Sequence, residues 1–230
     1  MSAKGDYFPR QVNQWFANAV YAADVNLEGR FKVDLTPSED PVAAAAAGIL
    51  SAVDVTTAGS TTTFVPTFRQ TLAQMLKFGR CLQVVGSAVG MAQVITVRGF
   101  DYLGQPMTEN MTLNGTTAVN GIKAFRWITS ISWNSGTAGT INLGWRDVFG
   151  LPYAMWQNTA GTVADFIDGV LAGTLGTFVA QFANAQTATT ADPRGTYAPN
   201  ASFVPNGSRR YLIYYEPNRN NLYGNAHFSS

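Results

Sequence analysis

Charged side chains are scarce in this sequence, and the two signs nearly cancel. Asp, Glu, Lys and Arg make up 13% of the 230 residues, against about 25% in an average soluble domain. The 15 basic and 14 acidic groups leave a formal net charge of +1. Binding to nucleic acid through bulk charge needs a basic face, and a membrane-surface helix needs a basic stripe. We therefore expect neither a nucleic acid nor a membrane as a partner.

Cysteine, histidine and long apolar runs are almost absent. Cys81 and His227 each occur once, which excludes a disulfide within the chain and a zinc site built from these two residue types. The apolar segment 42–53 is too short to span a membrane, and the segment 163–183 carries two aspartates. Residues 1–8 lack the apolar run of a secretory signal, so we expect synthesis in a cytoplasm, where Cys81 stays reduced.

Uncharged polar residues and aromatic residues take the place of the missing charge. Thr, Asn, Ser and Gly supply the polarity, and aromatic side chains make up 12% of the chain. A net charge far from zero helps a free monomer to stay soluble. A neutral polar surface is therefore better suited to a subunit that is covered by its neighbours.

Residues 1–62 are interpreted as an N-terminal arm. Apolar side chains recur at helical spacing between Arg10 and Ala23, which predicts one short amphipathic helix. The aromatic stripe of this helix would pack on the chain's own domain or enter a groove of a partner. Residues 26–65 hold too few large apolar side chains to form a core of their own. The arm residues predicted to contact a partner are Tyr7, Phe8, Trp15, Phe16 and Tyr21.

From residue 63 onward, short β-branched and aromatic runs alternate with Gly, Asn and Pro, which indicates strands. Alternation with one polar face is typical of antiparallel sheet. The predicted fold class is therefore mainly β: an antiparallel β-sandwich or barrel, jelly-roll-like, preceded by the arm. Residues 63–230 would form this domain with its C-terminal strand and tail. The predicted strands are 63–68, 80–86, 93–100, 106–113, 122–133, 139–145 and 209–215, with a helical turn at 72–78 and an ambiguous region at 153–185.

No local signature of catalysis or metal binding is present. An acid–base pair, a calcium site and a base near the C-terminus are conceivable. Neither the spacing nor the surroundings of these groups repeat a known site. We therefore favour the interpretation that each group is solvated. These groups are Asp165 with Asp168, Asp34 with Glu39 and Asp40, and His227. We expect no enzyme activity, no catalytic residue, no metal and no cofactor.

The C-terminal strand has the composition of an interaction surface. Tyrosine and arginine are enriched at the energetic centres of protein interfaces. Exposed tyrosines could instead stack on sugars, or the strand could bury one face within its own sheet. The residues predicted to contact a partner here are Arg209, Arg210, Tyr211, Tyr214 and Tyr215.

Five stretches carry a likeness to a known group of proteins. They are G-x-D-x-x-G-x-x-x-T-E at 99–109, L-N-G-T at 113–116, K-A-F at 123–125, G-x-x-D-x-x-G-L-P at 144–152 and D-P-R-G-T-Y-A-P at 192–199. Over roughly residues 93–200, the chain resembles virion structural proteins of tailed bacteriophages. The resemblance implies a capsid decoration or cement role on the virion surface, with assembly in the host cytoplasm.

The expected function is that of a non-enzymatic subunit that binds the lattice of the major capsid protein and stabilises the head. It would act as a homotrimer, because weak contacts joined in one oligomer add through effective concentration. Two alternatives remain open at this point. One is a component of the head–tail junction or the tail, and the other is a receptor- or glycan-binding module that uses residues 209–215.

Overall fold

The computed structural model describes residues 30–36, 40–68, 70, 72–75, 78–157, 163–182 and 187–224. The predicted helix between Arg10 and Ala23 and the five aromatic residues of the arm lie outside the described residues. Within the described ranges, the chain forms fourteen strands, one short α-helix, α1 (Leu72–Met75), and one 3-10 helix (Ala201–Phe203). The strands are β1 (Phe31–Asp34), β2 (Ala45–Asp54), β3 (Gly59–Thr61), β4 (Arg80–Gly86), β5 (Val94–Phe100), β6 (Pro106–Thr112), β7 (Val119–Phe125), β8 (Trp127–Trp133), β9 (Thr140–Gly150), β10 (Ala164–Ile167), β11 (Val170–Leu171), β12 (Thr177–Val179), β13 (Thr196–Ala198) and β14 (Tyr211–Tyr215).

The strands form three sheets, and every pairing between them is antiparallel. The first sheet has the order β1-β14-β10-β11, and the third has the order β3-β8-β5-β6. The central sheet has the order β12-β13-β9-β4-β7, and β2 also pairs with β9. The prediction of a mainly β, antiparallel fold is confirmed.

The central sheet contributes to two hydrophobic cores. Its strands β2, β4 and β9 pack against β5, β6 and β8 of the third sheet in a sandwich-like core. Its strands β9, β12 and β13 pack against β1, β10 and β14 of the first sheet in a second core. Strand β9 takes part in both, since Leu143 and Phe149 are fully buried in different clusters. The eleven residues of β9 therefore connect the two halves of the protein.

The described residues 30–36 and 40–62 belong to the β-domain, which corrects the predicted arm boundary at residue 62. Strand β1 pairs with β14, β2 with β9 and β3 with β8. Ile49 and Leu50 of β2 and Leu35 after β1 are buried. The stretch is too poor in apolar residues to form a core alone, but pairing with strands from the second half of the chain buries the few that it has.

Two further differences from the predicted strands lie at residues 122–133 and 63–68. The run 122–133 is divided by a bend at Arg126 into β7 of the central sheet and β8 of the third sheet, and within β8 the register against β5 shifts between Arg98 and Gly99. This bulge lets Ile128 and Ile131 both face the core. The predicted strand at 63–68 is a turn instead, and it contains Pro66, which has no backbone donor for a ladder.

Gly144 allows β2 to lie close to β9. A Cβ atom at this position would stand 1.6 Å from the carbonyl oxygen of Ala45 in β2. No side chain fits there unless the β2 backbone moves away. The glycine that opens the G-x-x-D-x-x-G-L-P motif is thus required by the approach of two strands.

We expect Gly144→Ala to lower the free energy of unfolding by about 2–3 kcal/mol, since overpacking against a backbone atom forces the strands apart. Urea unfolding of the full chain measures this change. Gly173→Ala is the matched control, because a Cβ atom there meets nothing within 4 Å. Equal stability of the two variants would contradict the role assigned to Gly144.

Candidate functional site

Several charged side chains lie inside the protein, although the sequence has few charges. Charged residues are almost never fully buried unless they are paired. Five of the buried ones are close in space and are called the buried charge network: Asp101, Glu109, Lys123, Asp192 and Arg194, each 2% exposed or less. All five stand at defined positions of the motifs on which the resemblance rests.

Asp101 and Arg194 form a buried ion pair. The Arg194 Nη1 atom lies 2.7 Å from Oδ2 of Asp101, and both side chains are 1% exposed. Oδ1 of Asp101 accepts hydrogen bonds from the backbone N–H groups of Leu103 and Gln105, which folds the turn between β5 and β6. Nε of Arg194 donates to the carbonyl of Leu151 after β9. One ion pair therefore joins a turn of the third sheet to the end of the central sheet.

The Asp192 carboxylate holds its own loop and strand β7 together. Its Oδ1 accepts from the N–H groups of Arg194 and Gly195, and its Oδ2 accepts from the N–H group of Ala124 at 2.9 Å. Burial raises the pKa of Asp192 above its ordinary value, against the opposing effects of Arg194 and these backbone donors. The carboxylate of Asp192 thus takes the place of a carbonyl group of a neighbouring strand as the hydrogen-bond acceptor.

Glu109 fills the gap that a bulge opens in β7. The pairing of β4 with β7 shifts register between Cys81 and Gln83. Oε1 of Glu109 accepts from the N–H groups of Ile122 at 2.6 Å and Lys123 at 3.3 Å. Buried N–H groups without a partner are costly, so a carboxylate at this bulge stabilises it.

Lys123 is the cation of this part of the network. Its Nζ donates to the carbonyl of Thr108 at 2.9 Å and to the carbonyl of Thr187. Burial lowers the pKa of Lys123 to about 8, and Glu109 opposes this effect. Burial likewise raises the pKa of Glu109 to about 7, although the two backbone donors and Lys123 favour its charged form.

Residues 187–195, called the strap, are fixed by this network to two sheets. Lys123 holds the strap at Thr187, and the carbonyl of Ala188 accepts a hydrogen bond from the N–H group of Asn110 in β6. Asp192 and Arg194 hold its other end. The hydrogen bonds of the buried charge network are made to other groups of the protein. The network therefore stabilises the fold.

A second buried ion pair lies nearby in the central sheet. Nη2 of Arg80 lies 2.6 Å from Oδ1 of Asp147. Arg80 also donates to the carbonyls of Val42 and Arg146, and burial lowers its pKa to about 10. The aspartate of the G-x-x-D-x-x-G-L-P motif therefore neutralises an arginine that joins β4, β9 and the segment before β2.

The two aspartates considered as an acid–base pair, Asp165 and Asp168, do not lie together in the structure. Asp165 is buried in β10, where its Oδ2 accepts from the Tyr197 hydroxyl at 2.7 Å and from the N–H group of Gly176. Asp168 is exposed in the following turn and accepts from the N–H group of Arg210. The two carboxylates lie in different environments and bind different partners.

The residues considered as calcium ligands do not form a common site within the described part of the chain. Asp34 accepts from the N–H and hydroxyl groups of Thr36, and Asp40 lies 3.7 Å from Arg210. Glu39 and His227 lie outside the described residues. No three His, Cys, Asp or Glu side chains of the described ranges are grouped to hold a metal ion. No helix in the same ranges is long and apolar enough to cross a membrane.

The three tyrosines of β14 are core residues, which corrects their prediction as a partner surface. Tyr211, Tyr214 and Tyr215 are at most 1% exposed. The hydroxyl of Tyr211 donates to the carbonyl of Phe203, and that of Tyr215 donates to the carbonyl of Tyr153. Strand β14 lies between β1 and β10. The physical reason is that both faces of β14 are covered: Tyr211 and Tyr215 pack in the second core, and Tyr214 packs against Phe166 on the other face.

The two arginines before β14 differ from these tyrosines. The side chain of Arg210 is 76% exposed, and Arg209 is half-buried beside the ring of Phe203 at 5.7 Å. Of the predicted C-terminal interface, only this pair is accessible to a partner.

A cavity on one face of the central sheet was not predicted from the sequence. Its volume is about 320 Å³, and five of the six strands of this sheet contribute to its walls, namely β12, β13, β9, β4 and β7. We call it the trough. Its lining includes Cys81, Ile122, Arg146, Val148, Val179 and Asp192. No short motif brings these residues together, because they come from strands that are distant in sequence.

Cys81 lies in the trough wall with little access to solvent. It is 1% exposed and free, and burial raises the pKa of its thiol well above the ordinary value. A thiol in this state is a weak nucleophile.

Comparison with known proteins gives no relative. The chain matches no protein-family model, no curated protein and no solved structure.

We expect Glu109→Gln to reduce the pH dependence of stability between pH 5 and 7.5. The native pKa of Glu109 is about 7 and lies above its ordinary value of 4.5, so the native state holds the proton more tightly than the unfolded chain. Its contribution to stability is therefore present at acidic pH and is lost as the pH rises through this range. Between pH 5 and 7.5, the stability of the neutral glutamine variant relative to the wild type should therefore rise by up to about 3 kcal/mol.

Urea unfolding at several pH values measures this difference. Glu216→Gln, a half-buried glutamate outside the network, is the control. A Glu109→Gln variant that keeps the wild-type slope would show that Glu109 does not titrate in this range.

We expect Arg194→Met to lower the free energy of unfolding by about 3–5 kcal/mol, because it leaves Asp101 buried without its cation. Arg210→Met is the matched control, since an exposed pair such as Arg210 with Asp40 contributes about 1 kcal/mol at most. Thermal and urea unfolding of both variants test the contrast. Similar losses for the two arginines would contradict the importance given to the buried pair.

Proposed function

We propose that this protein is a structural subunit of a bacteriophage virion, of the capsid decoration or cement type. In this proposal it binds the lattice of the major capsid protein on the capsid surface as a homotrimer, after assembly in the host cytoplasm. It has no catalytic role, and it needs no cofactor. In this proposal, the sandwich-like packing of the central and third sheets is the jelly-roll-like body of the subunit.

The proposal is carried by the position of the motif residues. Polar side chains at several defined positions of these motifs make hydrogen bonds and ion pairs inside the fold, as Asp101 with Arg194 and Glu109 at the β7 bulge do. Such residues hold a rigid body together and do not face a substrate. This is the behaviour expected of motifs that encode an architecture shared by structural subunits.

Exposed apolar side chains provide contact area for neighbours. Trp127 of β8 and Phe100 of β5 are directly opposite each other, and Phe100 is also opposite Pro106 of β6. Trp127 is 49% exposed and Phe100 is 37% exposed. Leu103, in the turn between β5 and β6, is also exposed. Aromatic residues of this kind are enriched where subunits meet.

Burial of the β14 tyrosines weakens the glycan-binding alternative, which depended on their exposure. The alternative of a head–tail junction or tail component predicts the same internal fold, and it differs from the cement role in copy number. Quantitative mass spectrometry of purified virions separates the two. A copy number comparable with that of the major capsid protein supports the cement role, and a few copies per particle would refute it.

We expect the double substitution Trp15→Ala/Phe16→Ala to abolish attachment to capsids without unfolding the β-domain, because these residues are the centre of the predicted aromatic stripe. Co-sedimentation of the full chain with capsids measures attachment, and thermal unfolding reports on the fold. Trp156→Ala is the control, since Trp156 is an exposed tryptophan outside the arm. Unchanged co-sedimentation of the double variant would exclude an attachment role for the stripe.

A further inference from the structure

The trough is an apolar surface with one charged group able to accept a partner. Ile122 and Val179 line it and are 47% and 48% exposed. A pocket that encloses a small molecule usually has about 300–1,000 Å³. The volume of about 320 Å³ is at the low end of this range. It fits one or two side chains of a peptide.

Arg146 provides the charge. Its Nη1 donates to the carbonyl of Gly121 at 3.1 Å, and both residues line the trough. No carboxylate oxygen of the described residues lies within 4.0 Å of its guanidinium nitrogens. Asp192, also in the lining, already accepts three backbone hydrogen bonds. The guanidinium therefore has free donors with the geometry that a carboxylate matches.

The chemistry of the site calls for a carboxylate next to aromatic or aliphatic side chains. Residues 1–29 lie outside the described structure and contain three acidic residues. All three have an apolar neighbour, but only Asp6 is followed by two aromatic residues, Tyr7 and Phe8, which offer the largest apolar area. The sequence Asp6-Tyr7-Phe8 thus combines the charge that Arg146 lacks with apolar groups for Ile122 and Val179.

The chain between this sequence and the β-domain is long enough to reach a neighbour. Roughly 22 residues separate Phe8 from Arg30, and they can span up to about 75 Å. A compact domain of this length has a radius of gyration of about 17 Å. We propose that Asp6-Tyr7-Phe8 of one copy occupies the trough of a neighbouring copy, with the Asp6 carboxylate on Arg146. This inference rests on the proposed function only for the presence of a neighbouring copy.

Photo-crosslinking of the full chain tests the proposal. Benzoylphenylalanine replaces Phe8, and equal amounts of isotopically light and heavy protein are mixed, dissociated and reassembled before irradiation. We expect crosslinks from position 8 to the segments 121–123, 146–148 and 177–180, with peptide pairs that combine light and heavy chains. Benzoylphenylalanine at position 17 is the positional control and should not label these segments.

Charge reversal tests the contact with Arg146. Arg146→Glu should reduce the crosslink yield from position 8 at least fivefold, and the double variant Asp6→Lys/Arg146→Glu should recover most of the loss. Arg98→Glu, at an exposed arginine of β5 that bonds Ser132, should change the yield little. The recovery separates a lost contact from a misfolded trough, because a folding defect would persist in the double variant.

Three results would overturn the inference. They are crosslinks from position 8 that lie outside the trough, crosslinks that join only chains of the same isotope, and a yield that charge reversal leaves unchanged. None of them alters the copy number in virions, on which the proposed function depends. A low copy number with crosslinks in the trough would refute the cement role and leave the docking contact in place.

Discussion

The fold depends on two buried carboxylates that replace a missing strand neighbour. Strand β7 is the last strand in the order of the central sheet and has a bulge before Ala124. Glu109 accepts hydrogen bonds from the N–H groups of Ile122 and Lys123, and Asp192 accepts one from the N–H group of Ala124. An amide N–H buried without an acceptor costs about 1–3 kcal/mol. Because Glu109 comes from β6 and Asp192 from the strap, the repair of one bulge also joins the third sheet and the strap to the central sheet.

The same network explains how a protein with few charges uses them. A buried ion pair adds little net stability compared with apolar packing, but loss of one partner is severe. We expect charges in such positions to favour one arrangement of strands over its alternatives, because a register that separates the partners leaves a charge buried and unpaired. The outer surface is correspondingly poor in charge, with exposed apolar residues such as Trp127 and Ile122. A surface of this composition is suited to contact with other subunits.

The sequence predicted the local elements better than their arrangement. Strand β4 has the predicted bounds Arg80–Gly86, and β14 was found within the predicted 209–215, because both are short, strongly apolar runs. The membership of β2 in the central sheet could not be predicted, since its pairing with β9 depends on the absence of a side chain at Gly144, nearly a hundred residues away. The burial of Tyr214 was missed for a related reason: the neighbours of β14 in its sheet cannot be inferred from its own sequence.

The trough and the buried charge network show which features of the protein the motifs predict and which they do not. In β7, the motif residue Lys123 is turned inward while its neighbour Ile122 lines the trough. In β9, the motif residue Asp147 meets Arg80, and the adjacent Arg146 lines the trough. Adjacent residues of a strand point to opposite faces, so a strand can turn a motif residue inward and its neighbour outward. The open positions of the motifs are not all on the surface, since Met107 and Phe149 are core residues. A motif of this kind indicates an architecture, whereas the choice of partner must be encoded by the exposed residues.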